Sequence, residues 1–375
     1  MRIALLTSSR FWRGSSSVFA VLGRGLAARG HITTALAAYE PVAAGFRSRQ
    51  LAVETLPVGH TNLKAARALR RALHDLAADV VLVDRPRDIR HAAFASLGGP
   101  LAVVYCISTP RPPRDLLTRL AFRRVRLTVF LTEQLARRAL TEAPFMRRAA
   151  ARVIPNGVDC ELFRPDSAAG RAFRQRHHLD DGPLLVAVGA LEIEKRWDLL
   201  LESLALLAPP VPPLVLCGSG ALEDALRAQA QRLGVDARFV GAVEPTQLVG
   251  AYNAATCVVH TRPDEVFALA LIEALACGRP VLAAAGGGTP ELLGDAGVLA
   301  PAEDPRAFAH LLQGLLRDSS RRAVLETAAR KRAVEHFSID RMIGEFGEVL
   351  ETLVAPGATA SAARASAARS RPPAA

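Results

Sequence analysis

Several features that mark other protein classes are scarce in this 375-residue sequence. Its five cysteines are odd in number and scattered, which favours reduced packing residues in a cytoplasmic protein over disulfides or metal ligands. The longest apolar stretch, "LLLESLALLAPPVPPLVLC", is broken by Glu202 and four prolines, so no run approaches the roughly 18 residues of a membrane span. Aromatic residues make up 5 % and form no stacking motif, which disfavours nucleic-acid binding.

Two kinds of ligand site are also missing from the sequence. The dinucleotide fingerprint G-x-G-x-x-G does not occur after the first predicted strand, where "SSRFWRGSSS" stands instead. No clustered His or Asp pattern indicates a metal site. We therefore expect neither a metal requirement nor another cofactor.

Positive charge is unevenly distributed along the chain. Residues 1–165 hold 26 Lys/Arg and 11 Asp/Glu, whereas the remaining residues hold 21 and 25. The segment "RPPRDLLTRLAFRRVR" (Arg111–Arg126) carries six arginines with leucines between them. It is typical of a membrane-surface or anionic-acceptor site, here assigned to Arg119, Arg123 and Arg124. It is equally typical of a solvated helix face whose arginine stems cover apolar surface.

Short apolar strands alternate with helical patterns throughout the chain, which predicts an α/β fold with parallel sheets. There are too many strands for one ordinary sheet, so two doubly wound domains fit better. The Pro- and Gly-containing stretch near 155–165 divides them into 1–164 and 165–337. We interpret the start, "MRIALLTSSR", as a strand rather than a signal peptide. Residues 356–375, rich in Ala, Ser and Arg, predict a disordered tail.

The most informative stretch is "EVFALALIE", which places Glu265 eight residues before Glu273. It follows the predicted strand "TCVVH" and predicts a helix that begins close to Glu265 and ends at Gly278. On one helix the two carboxylates would share roughly one face, and the helix N-terminus would attract phosphate. From spacing alone, the more common arrangement is one glutamate in a first turn and another on a solvated face, because amphipathic helices often have this pattern.

The surrounding motifs add a family resemblance. "EVFALALIEALACGRPV" resembles the pattern E-G-F-G-L-x-x-x-E-A-x-A-x-G-x-P-V of retaining glycosyltransferases of family 4. "VIPNGVDCELFRP", "VAVGALEIEKRWDLLLESLALL", "LVLCGSG", "RFVGAV" and "AAAGGGTPELL" follow in the order of that family. The resemblance implies the GT-B architecture, two Rossmann-like domains facing across a cleft: an acceptor-side domain and then a nucleotide-sugar-binding domain. It also implies that a C-terminal helix at 338–355 crosses back to the first domain.

The resemblance also implies roles for individual residues. Lys195 would contact the donor phosphates, Glu265 the transferred sugar near the reacting carbon, and Glu273 the nucleotide ribose. Lys195 and Glu265 would be the catalytic residues. The family has an arginine where Ala190 stands, and the adjacent Arg196 is a candidate substitute. The implied donor-binding set is Lys195, Arg196, Val243, Glu265, Val266, Phe267, Ala268, Leu269, Glu273 and Gly14.

The function implied by the resemblance is a nucleotide-sugar-dependent retaining hexosyltransferase. Its acceptor would be a glycan, a lipid-linked molecule or a small molecule, with a glycan or lipid-linked molecule of the cell envelope as the expected acceptor. The enzyme would be cytoplasmic, with peripheral association at the inner face of the cell membrane.

Two alternatives stay open. A GT-B epimerase would use similar phosphate contacts, and a non-catalytic nucleotide-sugar-binding protein is encouraged by Ala190, Val266 and Ala268, since the family usually has glycines at the last two positions.

Overall fold

The computed structural model describes residues 1–354, which form two compact units. The first comprises Met1–Asn156 together with the chain from Asp340, and the second comprises Gly157–Ile339. The first unit thus ends eight residues before the boundary that we place at 164 from sequence. The predicted disordered tail at 356–375 lies outside the described residues.

The first unit is built on a seven-stranded parallel sheet in the order β3-β2-β1-β4-β5-β6-β7. Its strands are β1 (Arg2–Thr7), β2 (Ile32–Ala37), β3 (Val53–Thr55), β4 (Val80–Val83), β5 (Ala102–Cys106), β6 (Val125–Phe130) and β7 (Ala150–Val153). Its helices in this part of the chain are α1 (Gly14–Ala28), α2 (Glu40–Arg47), α3 (Leu63–Asp75), α4 (Pro86–Ala95), α5 (Leu116–Ala121) and α6 (Glu133–Glu142). Short 3₁₀ turns occupy Phe122–Arg124 and Pro144–Arg148.

The second unit is built on a six-stranded parallel sheet in the order β10-β9-β8-β11-β12-β13. Its strands are β8 (Leu185–Val188), β9 (Leu214–Cys217), β10 (Ala237–Gly241), β11 (Cys257–His260), β12 (Val281–Ala284) and β13 (Val298–Ala300). Its helices are α7 (Ser167–Arg176), α8 (Trp197–Ala205), α9 (Glu223–Leu233), α10 (Pro245–Ala254), α11 (Leu269–Ala276), α12 (Thr289–Leu293), α13 (Pro305–Arg317) and α14 (Ser319–Phe337). Short 3₁₀ turns occupy Ile193–Lys195 and Gly294–Ala296.

The last described helix, α15 (Ile339–Val354), packs with the first unit from Asp340 onwards. Arg29 donates a hydrogen bond to the Asp340 carbonyl at 3.0 Å. The Glu351 carboxylate lies 3.7 Å from His31 Nε2. A side chain on Gly25 would collide with Ile343, so this glycine lets α1 and α15 approach closely.

The central strands are apolar because helices cover both faces of each sheet. Every residue of β4, β9, β11 and β12 is buried. Side-chain caps start several helices: Asn62, Thr132, Asp166 and Asp304 accept hydrogen bonds from backbone N–H groups of the first turn. These features confirm the predicted pair of doubly wound parallel sheets.

Each sheet reverses its direction of growth at one place, between β1 and β4 in the first unit and between β8 and β11 in the second. In such sheets, ligands bind beyond the carboxyl ends of the strands at this reversal. The loops after these four strands are therefore where functional side chains are expected. Among residues 1–354, no helix is both long and apolar enough to cross a membrane.

Candidate functional site

Lys195 and Glu265 meet at the reversal point of the second sheet. Lys195 lies in the loop after β8, Glu265 lies in the loop after β11, and these two strands are neighbours in the sheet. Lys195 Nζ donates to Glu265 Oε2 at 2.9 Å, and the two side chains are only 19 % and 10 % exposed. The strand order therefore creates an ion pair from residues 70 positions apart.

Two further nitrogen-bearing side chains approach the same carboxylate. His260 Nε2 lies 3.6 Å from Glu265 Oε2, and Arg262 Nη1 lies 3.7 Å from Glu265 Oε1. Burial disfavours the charged form of Glu265, but the contact with His260 and the charge of Lys195 outweigh it and hold its pKa well below the usual range. Burial lowers the pKa of His260, so its imidazole is neutral at neutral pH. Glu265 is thus a fixed carboxylate in a mostly cationic setting.

Glu265 does not lie on the helix that carries Glu273, so the prediction of a shared helix face is wrong. Helix α11 begins at Leu269, with Ala268 in an extended conformation as its N-cap. The preceding loop is held by the glycine run instead: Gly288 N–H donates to the Glu265 carbonyl at 2.7 Å. A Cβ on Gly287, whose φ is +52°, would lie 2.0 Å from that carbonyl oxygen. The predicted helix end is confirmed, since Gly278 follows the last turn with φ +64°.

Glu273 is held by a tyrosine from the neighbouring helix. Tyr252 Oη donates to Glu273 Oε2 at 2.7 Å, from α10 to α11. Burial raises the pKa of Glu273, and the hydrogen bond from Tyr252 opposes this shift. Tyr252 therefore orients one carboxylate oxygen of Glu273. It does not hydrogen-bond to the other oxygen. A carboxylate fixed in this way suits recognition of a hydroxyl group.

The segment between Glu265 and α11 is buried and unstrained. Val266, Phe267 and Ala268 are less than 10 % exposed, and Leu269 is the first residue of the helix. Ala268 has φ −85°, and Val266 is not among the residues of the described chain with positive φ. Non-glycine residues at these two positions therefore cost no backbone strain. Val243, the predicted base contact, lies between β10 and α10.

Arg196 points to other partners than Lys195 does. It has a left-handed backbone, φ +55°, and its guanidinium binds Asp198 at 3.2 Å and Glu303 at 3.1 Å. The hydrogen bond with Asp198 is the main reason that its pKa is raised. The structure thus does not bring Arg196 to the carboxylate of Glu265. Ala190, where the family has an arginine, is exposed, and its carbonyl accepts a hydrogen bond from Trp197.

The first unit holds a second polar cluster at its own reversal point. Gly14 opens α1 there, after the loop that follows β1. Asp84 follows β4, and Asp88 lies in the first turn of α4, where it accepts a hydrogen bond from Ser8 N–H at 3.0 Å. Both aspartates are fully buried. Burial and the charge of Asp84 raise the pKa of Asp88 to about 7, and burial raises the pKa of Asp84.

This acid pair predicts a pH-dependent stability. Asp88 binds a proton more tightly in the folded chain than at its ordinary pKa of 3.8, so the free energy of unfolding falls as pH rises from about 4 through 7. Asp88→Asn mimics the neutral acid and keeps an oxygen for Ser8 N–H. We expect it to stabilise the protein by about 2 kcal/mol at pH 8, roughly 4–8 °C in Tm. Thermal unfolding at pH 5 and pH 8 checks this: the gain should shrink at pH 5, and Asp75→Asn, at an exposed helix end, should show none. A lower Tm at pH 8 would contradict the assignment.

The basic segment at 111–126 is not one long helix. It forms the short helix α5 and a 3₁₀ turn, on which Leu116, Leu117 and Leu120 are 67 %, 60 % and 47 % exposed. Arg119 and Arg123 are exposed beside them. Arg124 differs, since its guanidinium hydrogen-bonds back to Ser96. Because the leucines are open to solvent, the interpretation in which arginine stems cover apolar surface does not describe this segment.

Three residues of the second site were not singled out from the sequence. They are His260, Arg262 and Tyr252. His260 ends β11, and Arg262 lies in the loop between β11 and Glu265. Because ligands bind beyond the carboxyl ends of such strands, these positions could have marked both residues as site candidates in the sequence. Tyr252 stands 21 residues before Glu273, and only the packing of α10 beside α11 reveals the contact.

Two family models match the chain in succession. "Glycosyltransferase Family 4" matches residues 12–162, and "Glycosyl transferases group 1" matches residues 170–332. A D-inositol 3-phosphate glycosyltransferase of Xylanimonas cellulosilytica is 38 % identical over 190 residues, 48 % of this chain and 46 % of the relative. A GDP-mannose-dependent phosphatidylinositol monomannoside mannosyltransferase of Mycolicibacterium smegmatis is 32 % identical over 202 residues, 50 % of this chain and 53 % of the relative. The matches span about half the length of these curated relatives.

Solved structures share the fold. Anabaena HepE, crystallised with UDP, has a TM-score of 0.84 at 21 % identity over 94 % of this chain and 100 % of its own. WaaG, a glycosyltransferase of lipopolysaccharide biosynthesis, has a TM-score of 0.68 at 18 % identity over 93 % and 99 %. At such identities the likeness shows the fold, while the two sequence models account for most of residues 12–332. Taken with the motifs around Lys195 and Glu265, they show that the chain belongs to the family 4 glycosyltransferases.

Proposed function

We propose that the protein transfers a sugar from a nucleotide-sugar donor to an acceptor, with retention at the anomeric carbon. The observation that carries the proposal is the buried Lys195–Glu265 pair at the reversal point of the second sheet. Lys195 offers a cation to a departing diphosphate, and Glu265 offers a carboxylate that stays ionised beside it. Glu273 offers a tethered acceptor for the ribose hydroxyls.

The transferase is favoured over the two alternatives. Val266 and Ala268, which encouraged a non-catalytic binding protein, occupy backbone conformations that need no glycine. An epimerase needs acid and base groups in both units, and in the first unit the candidate acids Asp84 and Asp88 are fully buried. Family membership supports the transferase as well.

Relatives narrow the substrates to be tested. The one from Mycolicibacterium smegmatis is named as GDP-mannose-dependent, and HepE was crystallised with UDP. Named acceptors among the relatives are an inositol phosphate and a phosphatidylinositol mannoside. We propose a UDP- or GDP-sugar donor and a phosphorylated polyol or lipid-linked acceptor of the cell envelope, with neither a metal nor another cofactor.

A two-stage screen tests the proposed function. Thermal shift with UDP- and GDP-sugars first selects the donor, because a ligand that binds the native state raises Tm. Incubation with D-inositol 3-phosphate, phosphatidylinositol mannosides and an envelope glycan extract then yields products for mass spectrometry. A transferred hexose supports the proposal. An epimerised donor without transfer, or nucleotide-sugar binding without any product, would support one of the alternatives instead.

Substitution of Glu273 should act on donor binding rather than on turnover. Ribose contacts bind ground state and transition state alike, so Glu273→Gln should raise the donor KM by about tenfold with kcat nearly unchanged. Steady-state kinetics at saturating acceptor measures both constants. Glu223→Gln is the matched control, since this glutamate pairs with Arg227 on the surface of α9. A drop in kcat with an unchanged donor KM would show that Glu273 does not act as a ribose-binding residue.

We also propose that the first unit associates with anionic membrane at the inner face of the cell membrane. The support is the exposed patch formed by Leu116, Leu117, Leu120, Arg119 and Arg123. Exposed leucines next to arginines suit the boundary between headgroups and acyl chains. Arg124 is left out of this patch because Ser96 holds its guanidinium.

Removing the charges of this patch should weaken vesicle binding. Each basic residue near an anionic membrane contributes about 1 kcal/mol, so Arg119→Ser with Arg123→Ser should lower the partition coefficient by about thirtyfold at low salt and by less as salt screens the charges. Sedimentation with phosphatidylserine-containing vesicles measures this. Arg67→Ser with Arg70→Ser, on exposed positions of α3, removes the same charge elsewhere and should have less effect. If both double variants lost vesicle binding equally, the binding would be a general effect of net charge and not a property of this patch.

A further inference from the structure

The proposed diphosphate site lacks one cation next to Lys195. Ala190, where the family resemblance implies an arginine, has no charged side chain, although the loop lies close to Lys195: a Cβ on Gly189 would be 3.4 Å from Lys195 Cε. A diphosphate carries more than one negative charge, and lysine supplies a single point charge. Some other cation is therefore needed to complete the site.

Arg196, next in sequence to Lys195, does not meet this need. Its guanidinium is paired with Asp198 at 3.2 Å and with Glu303 at 3.1 Å. Releasing it would require breaking two ion pairs.

Arg262 stands where a second cation is needed. Its Nη1 lies 3.7 Å from Glu265 Oε1, while Lys195 Nζ lies 2.9 Å from Glu265 Oε2. The two oxygens of one carboxylate therefore each pair with a different cation. The Arg262 side chain is 19 % exposed, and its Nε contacts Asp264, whose side chain is 62 % exposed. The Arg262 side chain is thus held on the same carboxylate that binds Lys195 and stays partly accessible to solvent.

We infer that Arg262 and Lys195 together bind the diphosphate of the donor, with Arg262 in place of the cation missing at Ala190. Glu265 holds the two cations in register when no donor is bound. The guanidinium fork gives two parallel donors to phosphate oxygens, which a lysine cannot do. The inference rests on the proposed function, since it assigns a partner to the same donor site.

Isothermal titration with UDP and GDP, and with uridine and guanosine, tests the assignment. Arg262→Gln should weaken binding of the preferred nucleoside diphosphate by about tenfold or more and leave the phosphate-free nucleoside unaffected. Arg238→Gln is the matched control, because Arg238 pairs with Asp236 as Arg262 pairs with Asp264. If the wild type binds neither diphosphate, the proposed function fails. If it binds one and Arg262→Gln binds it equally well, or if Arg196→Gln alone causes the loss, only the inference is overturned.

A rescue experiment separates phosphate binding from a merely structural role of Arg262. Ala190→Arg should restore most of the lost affinity in the Arg262→Gln background and add little to the wild type, because two guanidinium groups would then serve the same phosphate. An equal gain in both backgrounds, or no gain in the Arg262→Gln background, would overturn the inference. Thermal unfolding of each variant establishes that binding is compared between folded proteins.

Discussion

Glu265→Gln is expected to lower kcat by about 10²–10³ while leaving the donor dissociation constant equal or smaller. Losing one preorganised electrostatic contact at a reacting centre costs turnover of this order. The amide keeps an oxygen for Lys195 Nζ, so the loop geometry is preserved. Since the change removes the negative charge between Lys195 and Arg262, a bound diphosphate gains rather than loses attraction. Single-turnover rates and nucleotide titration separate the two effects.

The pH profile offers a second readout for Glu265. Its pKa is lowered well below the usual range by His260 and Lys195, against the opposing effect of burial. The carboxylate therefore stays charged at neutral and mildly acidic pH, and no acidic limb of kcat should arise from it there. An unchanged kcat in Glu265→Gln would exclude this residue from the reaction and leave the transferase proposal on family membership alone.

Lys195→Ala is expected to weaken nucleoside diphosphate binding by one to two decades, since it removes a charge-assisted phosphate contact worth about 1.5–3 kcal/mol. Binding of the corresponding nucleoside should not change. Titration calorimetry with UDP and GDP measures the loss. The matched control is Lys331→Ala, the other lysine of the second unit, which is exposed on α14.

The ion pair complicates this variant in a predictable way. Removing Lys195 leaves the mostly buried Glu265 with only Arg262 and His260 nearby, so the protein should also lose stability. Adding Glu265→Gln to Lys195→Ala removes the unpaired carboxylate and should restore Tm without restoring diphosphate binding. Recovery of both quantities in the double variant would show that Lys195 supports the loop and does not contact phosphate.

The sequence predicted the strands well except at the two edges of the first sheet. All six strands of the second unit and five of the first were identifiable as short apolar runs. The two that were missed, β3 and β7, are the edge strands of the first sheet. Their residues are half-buried or exposed, as in "VET" and "AARV". These two edge strands have one unpaired side and little apolar patterning, so periodicity gives no signal for them.

The positions of the side chains in the candidate site were harder to predict from sequence than the identities of its residues. Helix propensity in "EVFALALIEALA" favours an early helix start, but the glycine run at 286–288 binds the Glu265 carbonyl and keeps this loop extended. Arg196 was a candidate because it adjoins Lys195, yet a left-handed φ sends the neighbouring side chains to different partners. Arg262 can be assigned to the candidate site only once it is known that β8 and β11 are neighbours in the sheet. Tertiary contacts, which local sequence does not encode, decided all three.

The stereochemistry of the product tests the central claim most directly. The account predicts that a donor whose sugar is α-linked to the diphosphate yields an α-linked product, because we propose that Lys195, Glu265 and Glu273 form the donor site of a retaining transferase. Proton NMR of the purified product of the first active donor–acceptor pair reads the anomeric coupling constant. An α-glycoside formed by the wild type and strongly reduced in Glu265→Gln agrees with the account, whereas a β-glycoside would contradict it.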